Sequence, residues 1–485
     1  MKNKFTLLGL TFILFGITYI ANAQNVNIPD ANFKSYLLGN ILINTNMDSE
    51  IQVSEAAAYT GLMNVSSKSI ANLTGIEAFT AITTLYCANN QLTSLNLSSN
   101  TALENLECEN NLLTSLNVTG ASSLDYIHCF SNQLTSLDVS ANPALTDVTC
   151  YSNQLTSLNV NGLLNLTELY CYSNQLTSLN VSTNTALATL KCHINQLTSL
   201  NVSTNNSLTY LDCSNNQLTS LNVATPSLVR LYCSYNPLQS LNVAANTALQ
   251  YLWCDSNQLT NLNVSTNTAL TSLHCSINQL SSLNVSANTA LQDLDCYNNN
   301  LSSLNVSSNL ALTSLSCADN QIMALNLSAN TSLTEVVCSG NQLTSLNVKN
   351  GNNNSLAFFN ATGNPNLACI EVDNPAYSTS TWINGKDATA IYSTNCANLN
   401  VRNLTSSNTG IQIYPSPSTG IVTIENDHLT NMTIGVYDLT GKCIYQKHSS
   451  ALLNQSIDLS SASKGVYFVK VIADDHQIIK KMVIQ

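Results

Sequence analysis

Thirteen cysteines recur at a nearly fixed step: Cys87, Cys108, Cys129, Cys150, Cys171, Cys192 and Cys213 are 21 residues apart, Cys233 follows after 20, and Cys254, Cys275, Cys296, Cys317 and Cys338 resume the step of 21. Thiols in that number could bind metal, pair as disulfides or pack as small hydrophobes. No histidine shares the column, and a run of identical thiols makes a poor zinc site. Neighbouring rungs would place cysteine Cα atoms about 4.8 Å apart, but in-register parallel strands aim their Cβ bonds alongside rather than toward one another. Free thiols filling a dry core are therefore expected. Cys369 and Cys396 fall outside the column. They are the expected disulfide, worth roughly 3–4 kcal/mol for about 27 enclosed residues. Asp255, Asp293 and Asp295 could include a carboxylate pair for glycoside hydrolysis. Acids scattered over an open face lack the enclosed pocket that shifts a pKa and excludes water, so no enzyme is expected. No Gly-rich phosphate loop, His-Glu-x-x-His or Gly-x-Ser-x-Gly appears.

A second constellation runs from Asn44 to Glu55. It looks like an EF-hand loop, which makes Asn44, Asn46, Asp48, Glu50, Gln52 and Glu55 candidate ligands and Ca2+ the one cofactor implied. Ser49 occupies the usual glycine position, and asparagine stands for aspartate at Asn44 and Asn46. Fewer negative ligands bind calcium more weakly; a polar loop that keeps its shape without the ion is the alternative.

The third constellation is aromatic. The cysteines belong to a recurring sentence, L-x-C-x-x-N-x-L-x-x-L-N-V, whose Leu, Asn and Val positions hold while those flanking Cys vary strongly. Between Leu and Cys stand, among others, His128, Tyr170, Tyr232, Trp253 and His274; after Cys come Phe130, Tyr151, Tyr172 and His193. With Tyr126, Tyr210, Arg230, Tyr235 and Tyr251 these form the candidate ligand-binding set. Exposed aromatic groups of this kind stack on sugar rings or anchor protein partners. The competing explanation is that strands favour tyrosine for its shape.

These side chains converge only if the repeats stack. A regular 21-residue period is the signature of a solenoid, in which one unit buries its apolar face only against its neighbours. L-x-C alternates with period two and reads as a short strand, Leu and Cys inward. Asn follows every column cysteine by three residues, from Asn90 to Asn341. A buried amide there would satisfy the backbone of the turn on its own rung and the next. On these residues the chain resembles the leucine-rich-repeat family, whose pattern L-x-x-L-x-L-x-x-N/C-x-L fits with Cys in place of the third Leu. The resemblance implies a right-handed parallel solenoid with an inner strand face and an outer face of turns. Twenty-one residues leave little room for a helix in each unit, so a short second strand around Leu-Asn-Val and a slim rod spanning roughly 60 Å over thirteen rungs are expected.

The ends read differently. Residues 1–23 carry Lys2 and Lys4, an apolar run and Ala21-Asn22-Ala23, the pattern of a signal peptide. Residues 24–84 read as an N-terminal cap with a short helix from Pro29 or Asp30 and a second from Ser54 or Glu55. The solenoid is assigned to 85–355, a C-terminal cap to 356–399 and a polar linker to 400–411. Residues 412–485 alternate in strands with Gly-marked turns, as in Tyr437-Asp438-Leu439-Thr440-Gly441-Lys442 and Lys464-Gly465-Val466-Tyr467. This segment resembles the type A C-terminal sorting domain of the type IX secretion system of Bacteroidetes. That implies an antiparallel β-sandwich, contact with the type IX machinery, and export through the periplasm to the cell surface or medium. Ser416 stands where that family usually has Asn.

Only 9% of residues are charged and the formal net charge is −12, which excludes phosphate-driven nucleic-acid binding. No apolar run after the signal is long enough to span a membrane. The expected fold is thus a β-rich leucine-rich-repeat rod with a small helical N-terminal cap and a C-terminal antiparallel β-sandwich. The expected function is an exported binding or adhesion protein that recognises a protein or glycan through its aromatic inner face. A scaffold of the cell coat without a specific ligand is the alternative, and a polysaccharide hydrolase a more distant one.

Overall fold

The computed structural model describes residues 24–396, 412–425, 432–449, 455–473 and 476–485; the signal peptide and the 400–411 linker lie outside the described residues. The chain divides into two compact units that meet in sequence after Thr394.

The first unit opens with helix Ala31–Leu38, which buries Phe33 and Leu37. Asp30 starts it: one carboxylate oxygen accepts from the Asn32 and Phe33 amides at 3.0 Å, and the other accepts from Ala71 and Asn72 at 2.8 and 3.1 Å. One side chain thereby caps the helix and ties it to the first rung. A second helix, Val53–Ala58, begins one to two residues earlier than its expected start. From there the chain builds a fifteen-stranded parallel sheet that runs from Gly61–Asn64 to Phe358–Asn360. The sheet extends past 85–355 at both ends, because Met63 and Phe359 fill the inward position although neither lies in a Leu-x-Cys motif.

Register is kept from rung to rung beyond an irregularity at Gly61–Leu62 in the first pair. Glu168, Leu169 and Tyr170 pair with Thr189, Leu190 and Lys191, and these with Tyr210, Leu211 and Asp212. The Leu and Cys columns are fully buried, and all thirteen column cysteines are free. Cys369 and Cys396 are disulfide-bonded. The second strand of each unit forms only in part, pairing for example Ser94–Asn96 with Ser115–Asn117 and Ser199–Asn201 with Ser220–Asn222.

Two asparagine ladders lock the stack. In the first, Asn111 donates to the carbonyls of Cys108 on its own rung and Cys87 on the rung before, at 3.1 and 3.0 Å, and accepts from Leu92 N at 3.0 Å. The link runs to the preceding rung rather than the next, because the amide sits after the strand and faces back along the stack. The second ladder escaped the sequence reading. Asn142, Asn184, Asn205, Asn246 and their equivalents are fully buried in the far turn, each donating to two carbonyls of the preceding rung, as Asn205 does to Val181 and Asn184 at 2.9 and 2.8 Å. The 20-residue step is absorbed in this turn: one residue is lost between Val223 and Thr225, and Thr225 takes the asparagine's place. Strand register across that rung is unbroken.

The second unit contains a three-stranded antiparallel sheet (Gln412–Tyr414, Ile421–Glu425, Gln455–Asp458) and a four-stranded one (Cys443–Ser449, Met432–Asp438, Gly465–Ala473, His476–Ile484). They share a core of their own that includes Val422, Ile434, Val436 and Val469.

Candidate functional site

Each rung presents outward side chains on both sides of its buried Leu, another after Cys, and a fourth on the following residue, which takes a left-handed conformation (φ 50–57°) on rung after rung. Because register holds, these become columns. Tyr170, Lys191, Asp212, Tyr232, Trp253 and His274 lie successively beside one another on the fifteen-stranded sheet. All fourteen aromatic and basic candidates belong to these columns.

The columns organise into two lanes. After the cysteines, Phe130, Tyr151, Tyr172 and His193 stack face to face with centroids 4.5, 4.4 and 4.4 Å apart and interplanar angles of 12°, 7° and 8°. Such offset stacks add about 0.5–1.5 kcal/mol per pair beyond area burial. In the neighbouring column Tyr232 meets Trp253 at 4.7 Å, and Trp253 stacks on His274 at 4.9 Å and 12°. The face also holds its own cations over its rings. Lys191 Nζ lies 5.0 and 5.3 Å from the centroids of Tyr170 and Tyr210, and the Arg230 guanidinium 4.9 Å from Tyr251. Tyr126 tilts against His128 at 4.9 Å and shares a 3.1 Å hydroxyl contact with Tyr86.

Beyond His193 the stacked lane stops. Ser214, Ser234, Asp255 and Ser276 follow in its column before Tyr297 restores an aromatic ring. Four small side chains between two aromatic stretches leave a depression of about 530 Å³, bounded by Tyr232, Tyr235, Trp253, Ile277 and Tyr297. The open face expected from the sequence is therefore not uniformly flat. Trp253 is 39% exposed and Tyr235 57%. Tyr235 and Ile277 occupy the left-handed position, with φ of 56° and 50°, where most rungs have Asn, Ser or Asp. A bulky or β-branched residue is an outlier there. Ile194, 51% exposed, is a third case. The sequence reading missed Ile194 and Ile277; the signal was two apolar residues in an otherwise polar column.

The electrostatics are acidic. Asp212, Asp255 and Asp295 line the depression with no Lys or Arg among its walls. Burial pushes the Asp295 carboxyl above its ordinary range. Asp293 is drawn away from this group: His274 Nε2 lies 2.6 Å from its Oδ2. Burial alone would lower the His274 imidazole, but the Asp293 hydrogen bond and charge outweigh it and raise it; the same contact holds Asp293 low. His128 is raised chiefly by its hydrogen bond to Asp147 at 3.3 Å. His193 differs. Its Nδ1 is 3.2 Å from Asp212 yet makes no hydrogen bond, and burial lowers its pKa.

The Asn44–Glu55 loop closes on itself. Glu55 accepts from the Thr45, Asn46 and Gln52 amides at 2.8, 3.2 and 3.0 Å. Burial would raise its carboxyl, but these donors prevail and hold it low. The Asn46 and Gln52 amides donate to Asp48 Oδ2, both at 2.9 Å, and Glu50 pairs with Lys34 at 2.8 Å. Amide side chains supply here the positive hydrogens that would offset the carboxylates in place of an ion. Asp48, Glu50 and Glu55 thus each have a partner within the cap.

Residues 412–485 match the family of secretion system C-terminal sorting domains. No curated protein sequence matches the chain. Among solved structures, the functional domain of InlJ from Listeria monocytogenes, which includes a cysteine ladder, is 29% identical with a TM-score of 0.62, and covers 95% of this chain and 98% of its own length. An internalin, inlF, of the same organism is 20% identical with a TM-score of 0.51, covering 74% of this chain and 100% of its own. The plant peptide hormone receptor RGFR1 shares the fold at 21% identity and a TM-score of 0.55, over 69% of this chain and 58% of its own. No described helix is long and apolar enough to cross a membrane. The chain is thus a leucine-rich-repeat solenoid followed by a secretion system C-terminal sorting domain that directs export to the cell surface or beyond.

Proposed function

We propose that this exported protein captures a protein partner on its fifteen-stranded face. One observation carries the reading: inward positions barely change from rung to rung, whereas the outward columns vary and gather exposed Trp253, Tyr235 and Ile277 around one depression. Shape preference of strands for tyrosine does not account for Tyr235 and Ile277, which stand in a left-handed position outside any strand. Aromatic anchors clustered near the middle of a surface are the usual carriers of binding energy.

The test is retention of purified surface proteins and glycans by the immobilised full chain, compared with a variant carrying Tyr170→Ser, Tyr172→Ser, Tyr232→Ser and Trp253→Ser. Loss of two or more anchors should weaken capture on the order of a hundredfold while the variant still melts cooperatively. Equal retention by both proteins moves the site off this face, and retention of glycans alone replaces the protein partner by a sugar.

A further inference from the structure

Resting on that reading, we propose that the depression seats an organic cation, the ammonium or guanidinium group of a lysine or arginine side chain on the protein partner. Three independent features point there. First, the walls combine aromatic surface from Trp253, Tyr232 and Tyr235 with the carboxylates of Asp212, Asp255 and Asp295, and contain no Lys or Arg. Among the described residues no hydrogen bond or ion pair reaches the Asp255 carboxylate. An acidic, aromatic-walled concavity favours a cation over an anion.

Second, Ser234 lies on the wall with its hydroxyl oxygen buried and without a hydrogen-bond partner, the residue being 6% exposed. Buried hydroxyls are rarely left so; rotation about the Ser234 Cα–Cβ bond would bring it out to an N–H donor seated in the depression. Third, the same face fills comparable positions with its own cations, Lys191 over Tyr170 and Tyr210 and Arg230 over Tyr251. Around Trp253 and Tyr235 the rings and carboxylates recur without a Lys or Arg; the basic group there, His274, stacks on Trp253 and is engaged by Asp293. A metal ion is the weaker occupant, because the three carboxylates do not converge as a ligand set. The flanking stack from Phe130 to His193 extends the apolar surface along the rungs, which suits a protein surface that inserts one basic side chain.

The experiment titrates the full chain with N-acetyl-lysine amide and N-acetyl-arginine amide, and with the neutral isostere N-acetyl-norleucine amide, following Trp253 emission. The second tryptophan, Trp382, is buried at 4% exposure and serves as the unresponsive background. Saturable changes are expected with at least one cation and none with norleucine. Asp255→Asn should weaken the cation about tenfold or more. Tyr235→Asn is the control for folding: it places the residue most rungs prefer at the left-handed position, so it should melt no lower than the parent yet bind the cation less well. Equal responses to norleucine and lysine, or unchanged binding in both variants, would overturn the proposal. Tighter binding of glucosamine than of either amino-acid amide would overturn the protein source in favour of an amino sugar. None of these titrations needs the natural partner, so their failure leaves the retention experiment on the four aromatic residues standing, and the reverse holds too.

Discussion

At the scale of single residues, the pair His274–Asp293 makes a pH-dependent prediction whose sign follows from its geometry. The imidazole is raised and the carboxylate lowered by their 2.6 Å contact. A raised histidine contributes stability that is complete below its unfolded pKa, about 6.5, and is lost as pH rises through the folded value. A lowered aspartate contributes above its unfolded pKa, about 3.9, and loses that as pH falls through its folded value. The pair therefore stabilises most in the mildly acidic range. His274→Gln should lower the melting temperature more at pH 5.5 than at pH 8.5; an equal drop at both would mean that the charge pair contributes nothing. The aromatic members of this face were legible in the sequence because Tyr, Trp and His recur at a few fixed offsets from Cys. The depression was not legible. It arises from what is missing, the four small residues Ser214, Ser234, Asp255 and Ser276, and each of these reads as an ordinary surface residue until its neighbours are known to be rings.

At the scale of elements, the strand, the turn and the cysteine column were readable from spacing alone, since period-two alternation leaves Leu and Cys no other place than the core. The second asparagine ladder was hidden by composition. Asn142 or Asn205, fully buried, looks in sequence no different from Asn180 or Asn201, which are exposed. Each buried amide donates both hydrogens to carbonyls that also accept a backbone amide of their own turn, while its own oxygen stays unpaired, as in Asn205, Asn246 and Asn267. Asn246→Leu would remove one of the hydrogen bonds that each of the Val223 and Thr225 carbonyls accepts and should cost about 1–3 kcal/mol, two net hydrogen bonds, read by denaturant unfolding. Leu163 already occupies an equivalent buried position, so shape alone is tolerated, and a loss below about 0.5 kcal/mol, the lower end for one net hydrogen bond, would show the ladder to be dispensable. The cysteine column gives a sharper count. Burial pushes the Cys129, Cys171 and Cys317 thiols up to about 12, so native protein at pH 8 should expose to alkylation only Cys443, the exposed thiol of the second unit. Denaturation without reductant should release fourteen reactive thiols, the free cysteines of the two units together. A count near two after denaturation, Cys443 and the one column thiol that six pairs leave over, would mean that the column is oxidised in pairs.

At the scale of the molecule, the chain joins two units with different work, and their cores do not share a residue. The solenoid buries its apolar groups in stacked columns that any single rung could not close. The sorting domain buries Val422, Ile434, Val436 and Val469 between two antiparallel sheets. Its alternation of strands and glycine turns could be read directly, whereas residues 1–23, which carry the expected signal, lie outside the described structure. Separate cores predict that export and binding can be taken apart. Truncation after residue 411, expressed in a bacterium with a type IX system, should leave a solenoid that folds, bears every aromatic residue of the face and accumulates in the periplasm, protected from protease added outside. The full chain should appear at the surface or in the medium, and residues 412–485 fused behind a periplasmic reporter should carry that reporter outward. Export of the truncated chain would place the address elsewhere in the protein. Failure of the truncated chain to retain a ligand that the full chain retains would assign part of the binding surface to the sorting domain instead of the face around Trp253.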